Sequence, residues 1–273
     1  MSIDQKLARL REDLRGHDSL AVAFSGGVDS AFLLKVAHDE LGNRVLALVA
    51  RGTVFPEAEF QEAMDFATRL GAPIRVVDVD VFAIPNFVEN PGDRCYHCKR
   101  ALFSKLLEVA KEEGLLVVAD GANVDDLHDY RPGSKATAEL GVIHPLDEVG
   151  LTKSEIRQLS QRLGLPTWDK PSAACLASRF PYGERITEEA LRRVESAESF
   201  LRSQGFRQVR VRSHGSTARI EAPEAHLGRF SEPNLRTAVV QKLKALGFTY
   251  VSLDLQGYRT GSLNEGLDDT TRT

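Results

Sequence analysis

The feature that most constrains the fold is a regular alternation of short apolar segments with helical segments in the first half of the chain. The near-continuous apolar character of the short segments is typical of strands that are buried on both faces. They lie at residues 19–24, 44–50, 74–79, 115–119 and 142–146. Segments whose apolar residues recur at three- and four-residue spacing lie between them, at residues 30–40, 56–70 and 98–113. This alternation predicts an α/β fold with a doubly wound parallel five-stranded sheet.

A second, smaller α+β module is expected after residue 181. A capped amphipathic helix, two strand-like runs, a helix and a last strand follow in order, at residues 187–203, 207–212, 218–222, 235–246 and 248–253. We therefore expect a first domain over residues 1–181, including a connector at 166–181, a second domain over 182–260, and a polar tail over 261–273.

Charge and cysteine content narrow the class of protein. The formal net charge of −4 argues against a globally basic nucleic-acid binder. An odd set of three cysteines cannot form a disulfide framework and indicates a reducing compartment. No apolar run approaches the roughly 20 residues that span a bilayer, and the first residues are charged and amphipathic, unlike a secretion signal. We expect a cytoplasmic protein with neither a membrane nor a nucleic acid as partner.

A glycine-rich hexapeptide, Ser25-Gly26-Gly27-Val28-Asp29-Ser30, directly follows the first predicted strand and begins the first helix. Its glycines allow a sharp turn that brings backbone N–H groups close to a phosphate, and its serines add hydroxyl donors. The helix N-terminus adds positive potential. The hexapeptide matches neither a Walker A loop nor the Rossmann glycine fingerprint. A plain capped turn is the alternative, but the full hexapeptide in this context favours phosphate binding.

A second polar loop, Asp120-Gly121-Ala122-Asn123-Val124-Asp125-Asp126, follows the fourth predicted strand. Parallel sheets bind ligands beyond the carboxyl ends of their strands, so both loops are expected at the same edge. A simple Asx-turn would explain the same residues without a ligand.

Two thiols, Cys95 and Cys98, lie one turn apart at a predicted helix start among basic residues, which favours thiolates. The third thiol, Cys175, lies in the connector. Three thiolates suit an iron–sulfur cluster with one open iron. A redox pair, a zinc site with His97 as fourth ligand, and three buried small side chains are the alternatives.

Arginines alternate with valines in the run 207–212. The period of two places Val209 and Val211 on the core face, and Arg210 and Arg212 together on the opposite, polar face. Two arginines about 7 Å apart could clamp one phosphate. A solvated strand edge is the alternative.

Four segments of the chain together resemble the LarE-type ATP-dependent sulfur transferases of nickel-pincer nucleotide cofactor synthesis, a branch of the PP-loop ATP pyrophosphatases. The segments read SGGVDS (25–30), RCYHCK (94–99), DGANVDD (120–126) and KPSAACLASRFPYG (170–183). The last is the most specific, because the first alone identifies only the superfamily. The resemblance extends from about residue 19 to about residue 253.

The resemblance implies a reaction. ATP, with Mg²⁺, would adenylylate a carboxylate of pyridinium-3,5-biscarboxylic acid mononucleotide, sulfur would displace AMP, and two rounds would give the bis-thiocarboxylate. Sulfide or another sulfur donor would be a partner, and the protein would be a homo-oligomer. One branch of the family sacrifices a single cysteine, whereas another holds a [4Fe-4S] cluster on three cysteines. Cys95, Cys98 and Cys175 match the second branch.

The resemblance also implies residue roles. Asp29, Lys99 and Cys175 would act in catalysis. Lys99 and Lys170 could add cationic stabilisation, and ordinary solvated lysines are the alternative for both. The residues expected to bind ATP are Ser25, Gly26, Gly27, Asp29, Ser30, Gly121, Asn123 and Asp125. The residues expected to bind the substrate phosphate are Arg179, Arg210 and Arg212. Glu198 and Glu221 match acidic positions associated with a divalent metal.

Three other functions use similar loops. A tRNA thiolase should carry a broad basic surface or an RNA-binding domain, which this composition disfavours. An amidotransferase-type synthetase needs an ammonia source, for which the chain offers no further domain. A nucleotide-binding sensor would bind ATP without releasing pyrophosphate.

Overall fold

A computed structural model describes residues 1–128, 132–259 and 261–263, and these residues form two compact units. The first unit comprises residues 1–84 and 93–173, and the second comprises residues 85–92 together with the described residues from 174 onward. The expected boundary at 181 differs from this division because the segment around Asn90 bonds to residues beyond 174. The fully buried Asn90 donates through Nδ2 to the Pro181 carbonyl at 2.7 Å, and its own carbonyl accepts from the Gly183 N–H at 2.8 Å.

The first unit alternates helices and strands. In chain order they are α1 (Ile3–Arg15), β1 (Leu20–Ala23), α2 (Val28–Leu41), β2 (Val45–Arg51), α3 (Glu57–Leu70), β3 (Ile74–Asp78), α4 (Arg94–Glu112), β4 (Val118–Ala119), α5 (Pro132–Glu139), α6 (Pro145–Glu148) and α7 (Lys153–Arg162).

The strands of the first unit form a parallel sheet in the order β3-β2-β1-β4, which confirms the α/β fold. The expected fifth strand at 142–146 is wrong, since within the described residues the sheet has four strands. Ile143 makes only an isolated parallel bridge to Ala119. The ladder stops there because Pro145 has no N–H to donate and begins α6 instead.

Both faces of this sheet are buried. Leu20 and Val22 of β1 belong to a core cluster that also includes residues of α1, α2, α3 and α7, whereas Ala21 belongs to a second cluster with Phe103 and Leu106 of α4. Alternate residues of one strand therefore pack on opposite sides, as a doubly wound sheet requires. The carboxyl ends of β1 and β4 remain as the edge from which the polar loops emerge.

The second unit is the expected small α+β module. Its elements are α8 (Glu188–Ser203), β5 (Arg210–His214), β6 (Thr217–Glu221), α9 (Glu224–Leu227), α10 (Pro233–Ala245) and β7 (Tyr250–Leu253). The sheet order is β5-β6-β7, with an antiparallel first pair and a parallel second pair. Across the described part of the chain, no helix combines the length and the apolar character that a membrane span requires.

Candidate active site

The glycine-rich loop at 25–30 connects the end of β1 to the start of α2. Gly26 has a φ of +70°, in the left-handed region that favours glycine, and a Cβ there would lie 2.8 Å from the Ala63 Cβ on α3. Any side chain at Gly26 would therefore strain the backbone and clash with α3. Gly27 is the residue before the first turn of α2, so the unpaired N–H groups of that turn lie next to the loop.

The side chains of Ser25 and Ser30 form hydrogen bonds within the loop. Their hydroxyl oxygens lie 3.1 Å apart, and the Ser30 hydroxyl donates to the Gly27 carbonyl at 3.3 Å. The Ser25 N–H donates to the Ser30 oxygen, and the Gly27 N–H donates to the Ser25 oxygen at 3.4 Å. Hydroxyl and N–H donors are thus gathered at a helix N-terminus, an arrangement suited to a bound phosphate.

The second polar loop packs directly on the first. A Cβ at Gly121 would lie 2.8 Å from the Ser30 backbone nitrogen, so only glycine allows this close approach. The Asx-turn considered for the loop is present, because the buried Asn123 accepts the Asp125 N–H at 3.0 Å. The second polar loop therefore contains the Asx-turn and also contacts the phosphate loop. The structure therefore brings together the two loops that the sequence placed at one sheet edge.

Lys153, the first residue of α7, is a site residue that the sequence reasoning missed. Its ammonium group forms an ion pair with Asp29, and its backbone N–H donates to the Asp125 carboxylate at 2.8 Å. It thus connects both polar loops. The signal that could have located it is the capping box of α7, in which Thr152 and Glu155 exchange hydrogen bonds.

The carboxylate of Asp29 is suited to a cation. Burial raises its pKa, while the ion pair with Lys153 opposes that change. Its Oδ1 atom is buried and, within the described part of the chain, has no hydrogen-bond partner. An unsatisfied buried carboxylate oxygen next to a phosphate loop fits Mg²⁺, which prefers oxygen ligands.

Asp120, at the end of β4, accepts a hydrogen bond from His144 Nδ1 at 2.7 Å and another from the Ala122 N–H at 3.0 Å. Burial alone would raise the pKa of Asp120, but the His144 contact and the charges of His144 and Lys99 outweigh it and lower that pKa. The hydrogen bond to Asp120 raises the pKa of His144 in turn. Lys99 therefore contributes positive charge at this edge, with its Nζ 5.7 Å from the Phe103 ring centre.

Each of the three cysteine side chains is a thiol outside any disulfide and is partly buried, so none of them is a core residue. Cys95 and Cys98 lie in the first turn of α4 in the first unit, with the Arg94 guanidinium 3.7 Å from the Cys95 sulfur. His97, considered as a zinc ligand, instead contacts Asp93 at 3.1 Å. Cys175 precedes a short 3-10 turn in the second unit. Among the described residues, the structure contains no cluster of three or more His, Cys, Asp or Glu side chains arranged to hold a metal ion.

The alternative of a solvated strand edge for β5 is wrong, since residues on both faces of this strand are buried in the second unit. Arg210 and Arg212 are each only 6% exposed. Arg212 donates through Nε and Nη2 to the fully buried Glu221 at 3.0 and 2.9 Å. Arg179, 1% exposed, makes the same paired contact with the fully buried Glu198 at 2.7 and 2.9 Å.

These arginine–glutamate contacts concern two predictions for the second unit, a divalent metal and the substrate phosphate. Both glutamate side chains accept hydrogen bonds from guanidinium groups, so a divalent metal at Glu198 and Glu221 would have to replace them and stays a prediction. Arg179, Arg210 and Arg212 are all buried. Burial and the neighbouring Arg179 charge lower the pKa of Arg210. Guanidinium groups are common ligands of phosphate, and the predicted substrate-phosphate role of these arginines remains a prediction.

A strand, a glycine-rich phosphate loop and a helix, with a second polar loop against them, define a nucleotide-binding unit of the PP-loop kind. The chain belongs to the NAD synthase family, whose model matches residues 5–181. It is 42% identical to pyridinium-3,5-bisthiocarboxylic acid mononucleotide synthase from Lactiplantibacillus plantarum, over 96% of this chain and 95% of the relative. The family resemblance drawn from the four motifs is confirmed.

Two further relatives show how far the similarity extends. An uncharacterized protein from Synechocystis sp. is 44% identical over 97% of this chain and 99% of its own length. An argininosuccinate synthase from Natronomonas pharaonis is 33% identical over only 54% of this chain and 39% of its own length. The similarity thus covers nearly the whole chain for the relatives from Lactiplantibacillus plantarum and Synechocystis sp., and about half of it for the argininosuccinate synthase.

Proposed function

We propose that this protein is an ATP-dependent sulfur transferase that adenylylates the carboxylates of pyridinium-3,5-biscarboxylic acid mononucleotide and replaces AMP by sulfur. The product is the bis-thiocarboxylate mononucleotide. The observation that carries the proposal is the 42% identity to the synthase of that product over nearly the full length of both chains. The chain is an ATP-dependent enzyme, in agreement with its family.

The chemistry explains the need for the phosphate loop. A carboxylate is a poor electrophile because its oxygen does not leave, whereas an acyl adenylate has AMP as leaving group. The hydroxyls of Ser25 and Ser30 and the N–H groups at the start of α2 would stabilise the charge that develops on the phosphates. Lys153 and Lys99 add positive charge at the same edge. Mg²⁺, when bound, neutralises phosphate charge, and Asp29 is the residue that would hold it.

The second half of the reaction needs a sulfur source. Cys95, Cys98 and Cys175 would hold a [4Fe-4S] cluster, which supplies an open iron for the transferred sulfide. The support is the donor set itself, three partly buried thiols that form no disulfide and lie in basic segments. Sulfide as donor, a homo-oligomeric state, a cytoplasmic location and the absence of a nucleic-acid partner belong to the same proposal.

Anaerobic reconstitution with iron and sulfide should give a brown protein with about four irons per chain, as expected for a [4Fe-4S] cluster. Cys95→Ala, Cys98→Ala and Cys175→Ala should each lower the iron content, because each removes one ligand. The measurement is iron and acid-labile sulfide per chain. Colourless protein that is fully active, with Cys175 converted to dehydroalanine in its mass spectrum, would contradict the cluster.

Cys175→Ala should preserve AMP formation and stop the formation of thiocarboxylate. Adenylylation would use the loops of the first unit, whereas the sulfur-transfer step would require the thiol. AMP and thiocarboxylate are measured in the same reaction, so the first serves as internal control for the second. Loss of both activities in a folded variant would show that the two steps are not divided in this way.

The proposed function itself is tested by anaerobic incubation of the reconstituted protein with the biscarboxylate mononucleotide, ATP, Mg²⁺ and sulfide. The expected product mass reports the exchange of two oxygens for two sulfurs, with AMP and pyrophosphate released. A parallel reaction with tRNA in place of the mononucleotide tests the thiolase alternative. Sulfur incorporation into tRNA alone would refute the proposal.

A further inference from the structure

Lys170 contacts the phosphate loop of the first unit through a backbone carbonyl. Its Nζ donates to the Gly26 carbonyl oxygen at 3.0 Å and pairs with the Glu62 carboxylate at 2.8 Å. Glu62 lies on α3 next to Ala63, which packs against Gly26. The Gly26 peptide is therefore held by α3 on one side and by the ammonium group of Lys170 on its carbonyl.

The direction of this carbonyl determines the direction of a phosphate-loop donor. In a trans peptide the C=O of Gly26 and the N–H of Gly27 point in opposite directions, because the group is planar. Glycine rotates about φ and ψ more freely than other residues, so without a partner this peptide could turn over. The bond from Lys170 opposes that rotation. It keeps the Gly27 N–H on the side of the loop where it now contacts the Ser25 hydroxyl oxygen.

Lys170 is itself held in place by α7. Arg157 donates through Nη1 to the Trp168 carbonyl and through Nη2 to the Lys170 carbonyl, both at 2.7 Å. The same helix provides Lys153, which pairs with Asp29 in the loop. Residues from one helix thus fix both the acidic side chain of the loop and, through Lys170, its glycine peptide.

We infer that Lys170 is a positioning residue of the ATP site, which fixes the Gly26–Gly27 peptide so that its N–H faces the nucleotide phosphates, with Arg157 holding Lys170. The inference rests on the proposed function, since it assumes that the loop binds ATP. It assigns Lys170 an action through the backbone rather than a direct contact with phosphate. The chain reaches Cys175 five residues later, so the segment that carries the thiol starts at a residue anchored to the nucleotide loop.

The test is the dissociation constant for Mg²⁺-ATP, measured by calorimetry on the full-length protein without the mononucleotide. Lys170→Met should weaken ATP binding about tenfold, the scale of one charge-assisted hydrogen bond. Lys170→Arg, which can reach the same carbonyl, should stay within about threefold of the wild type. Lys105→Met, an exposed lysine paired with Glu108 on α4, is the matched control and should leave binding unchanged.

A double-mutant cycle tests whether Arg157 acts on ATP binding through Lys170. If Arg157 acts through Lys170, then Arg157→Ala should also weaken ATP binding. The double variant with Lys170→Met should bind ATP as tightly as whichever single variant binds it less tightly. Effects of the two substitutions that simply add would overturn the inference. So would a Lys170→Met protein that binds ATP within twofold of the wild type. If Lys170→Met does not fold, Lys170→Arg and Arg157→Ala decide, and unchanged binding in Arg157→Ala overturns the inference.

The outcomes also separate this inference from the proposed function. A wild type that binds ATP but forms no AMP with the mononucleotide refutes the function and leaves the cycle on ATP binding intact. Unchanged ATP binding in the variants, with normal AMP formation in the wild type, refutes the positioning role alone.

Discussion

Asp29→Asn should lower the rate of AMP formation by about 10²–10³-fold, the usual effect of removing one preorganised electrostatic group from an active site. The substitution removes the charge that pairs with Lys153 and the carboxylate whose Oδ1 would hold Mg²⁺. An amide of nearly the same shape keeps the packing, so the loss should be in catalysis. The measurement is pyrophosphate and AMP release at saturating ATP, with circular dichroism to verify the fold.

Asp39→Asn is the matched control for this prediction. Asp39 lies on the same helix, α2, and is also paired with a lysine, Lys35, but it is partly exposed and lies near the opposite end of the helix from the loop. Its substitution should leave AMP formation unchanged. Equal rates for wild type and Asp29→Asn would remove Asp29 from the mechanism.

Glu198→Gln should destabilise the second unit by about 3–5 kcal/mol, the typical cost of breaking a buried ion pair by removing one partner. Glu198 is fully buried, and its carboxylate accepts bonds from Arg179, Arg202 and the Val211 N–H. The amide cannot neutralise these guanidinium groups, so positive charge would remain buried without compensation. Urea unfolding followed by hydrogen exchange of β5 and α8 measures the effect locally, since two units need not unfold together.

The same residue should make the second unit sensitive to acid. Burial alone would raise the pKa of Glu198, but the charges of Arg179, Arg210 and Arg202 outweigh it and lower the pKa below its ordinary value of about 4.3. A carboxylate whose pKa is lower in the folded than in the unfolded state stabilises the fold at any pH above its unfolded-state pKa. This stabilisation is lost as the pH falls through the folded-state pKa. The wild type should therefore lose stability on acidification below about pH 4, and Glu198→Gln should lose less of it over that interval.

Glu188→Gln provides the control for both measurements. Glu188 lies at the start of the same helix, α8, and its pair with Arg192 is half exposed. Exposed pairs contribute about 0–1 kcal/mol, so this substitution should change the free energy of unfolding little. A Glu198→Gln protein as stable as Glu188→Gln would show that the buried pairs do not hold the second unit together.

The parts of the fold and site that the sequence predicts are those coded by local pattern. The phosphate loop is recognisable because its glycines, serines and following helix are adjacent in sequence, and Gly26 proves to have the conformation that such a loop needs. The strands β1 and β2 are recognisable from their continuous apolar character, and β3 from its Ile and Val residues. The prediction of a fifth strand is wrong for an equally local reason, since Pro145 lies within the predicted segment and begins a helix there.

The parts that escape prediction depend on contacts distant in sequence. Lys153 lies 124 residues from Asp29 in sequence, and only the fold brings the two side chains into contact. The period of two on β5 correctly groups Arg210 with Arg212, but it cannot show that the face they share is also covered. Both arginines lie in the interior of the second unit, where Arg212 is paired with Glu221, and their predicted role as phosphate ligands stays a prediction.

The insertion of residues 85–92 into the second unit has a consequence for how this chain can be divided. The polypeptide passes between the units after residues 84, 92 and 173, so no single cut separates one unit from the other. A gene shortened after residue 173 would still encode Asn90 while deleting the Pro181 and Gly183 backbone groups that it bonds. Removal of the chain after residue 173 would therefore leave a loop in the middle of the remaining sequence without the backbone partners that it has here.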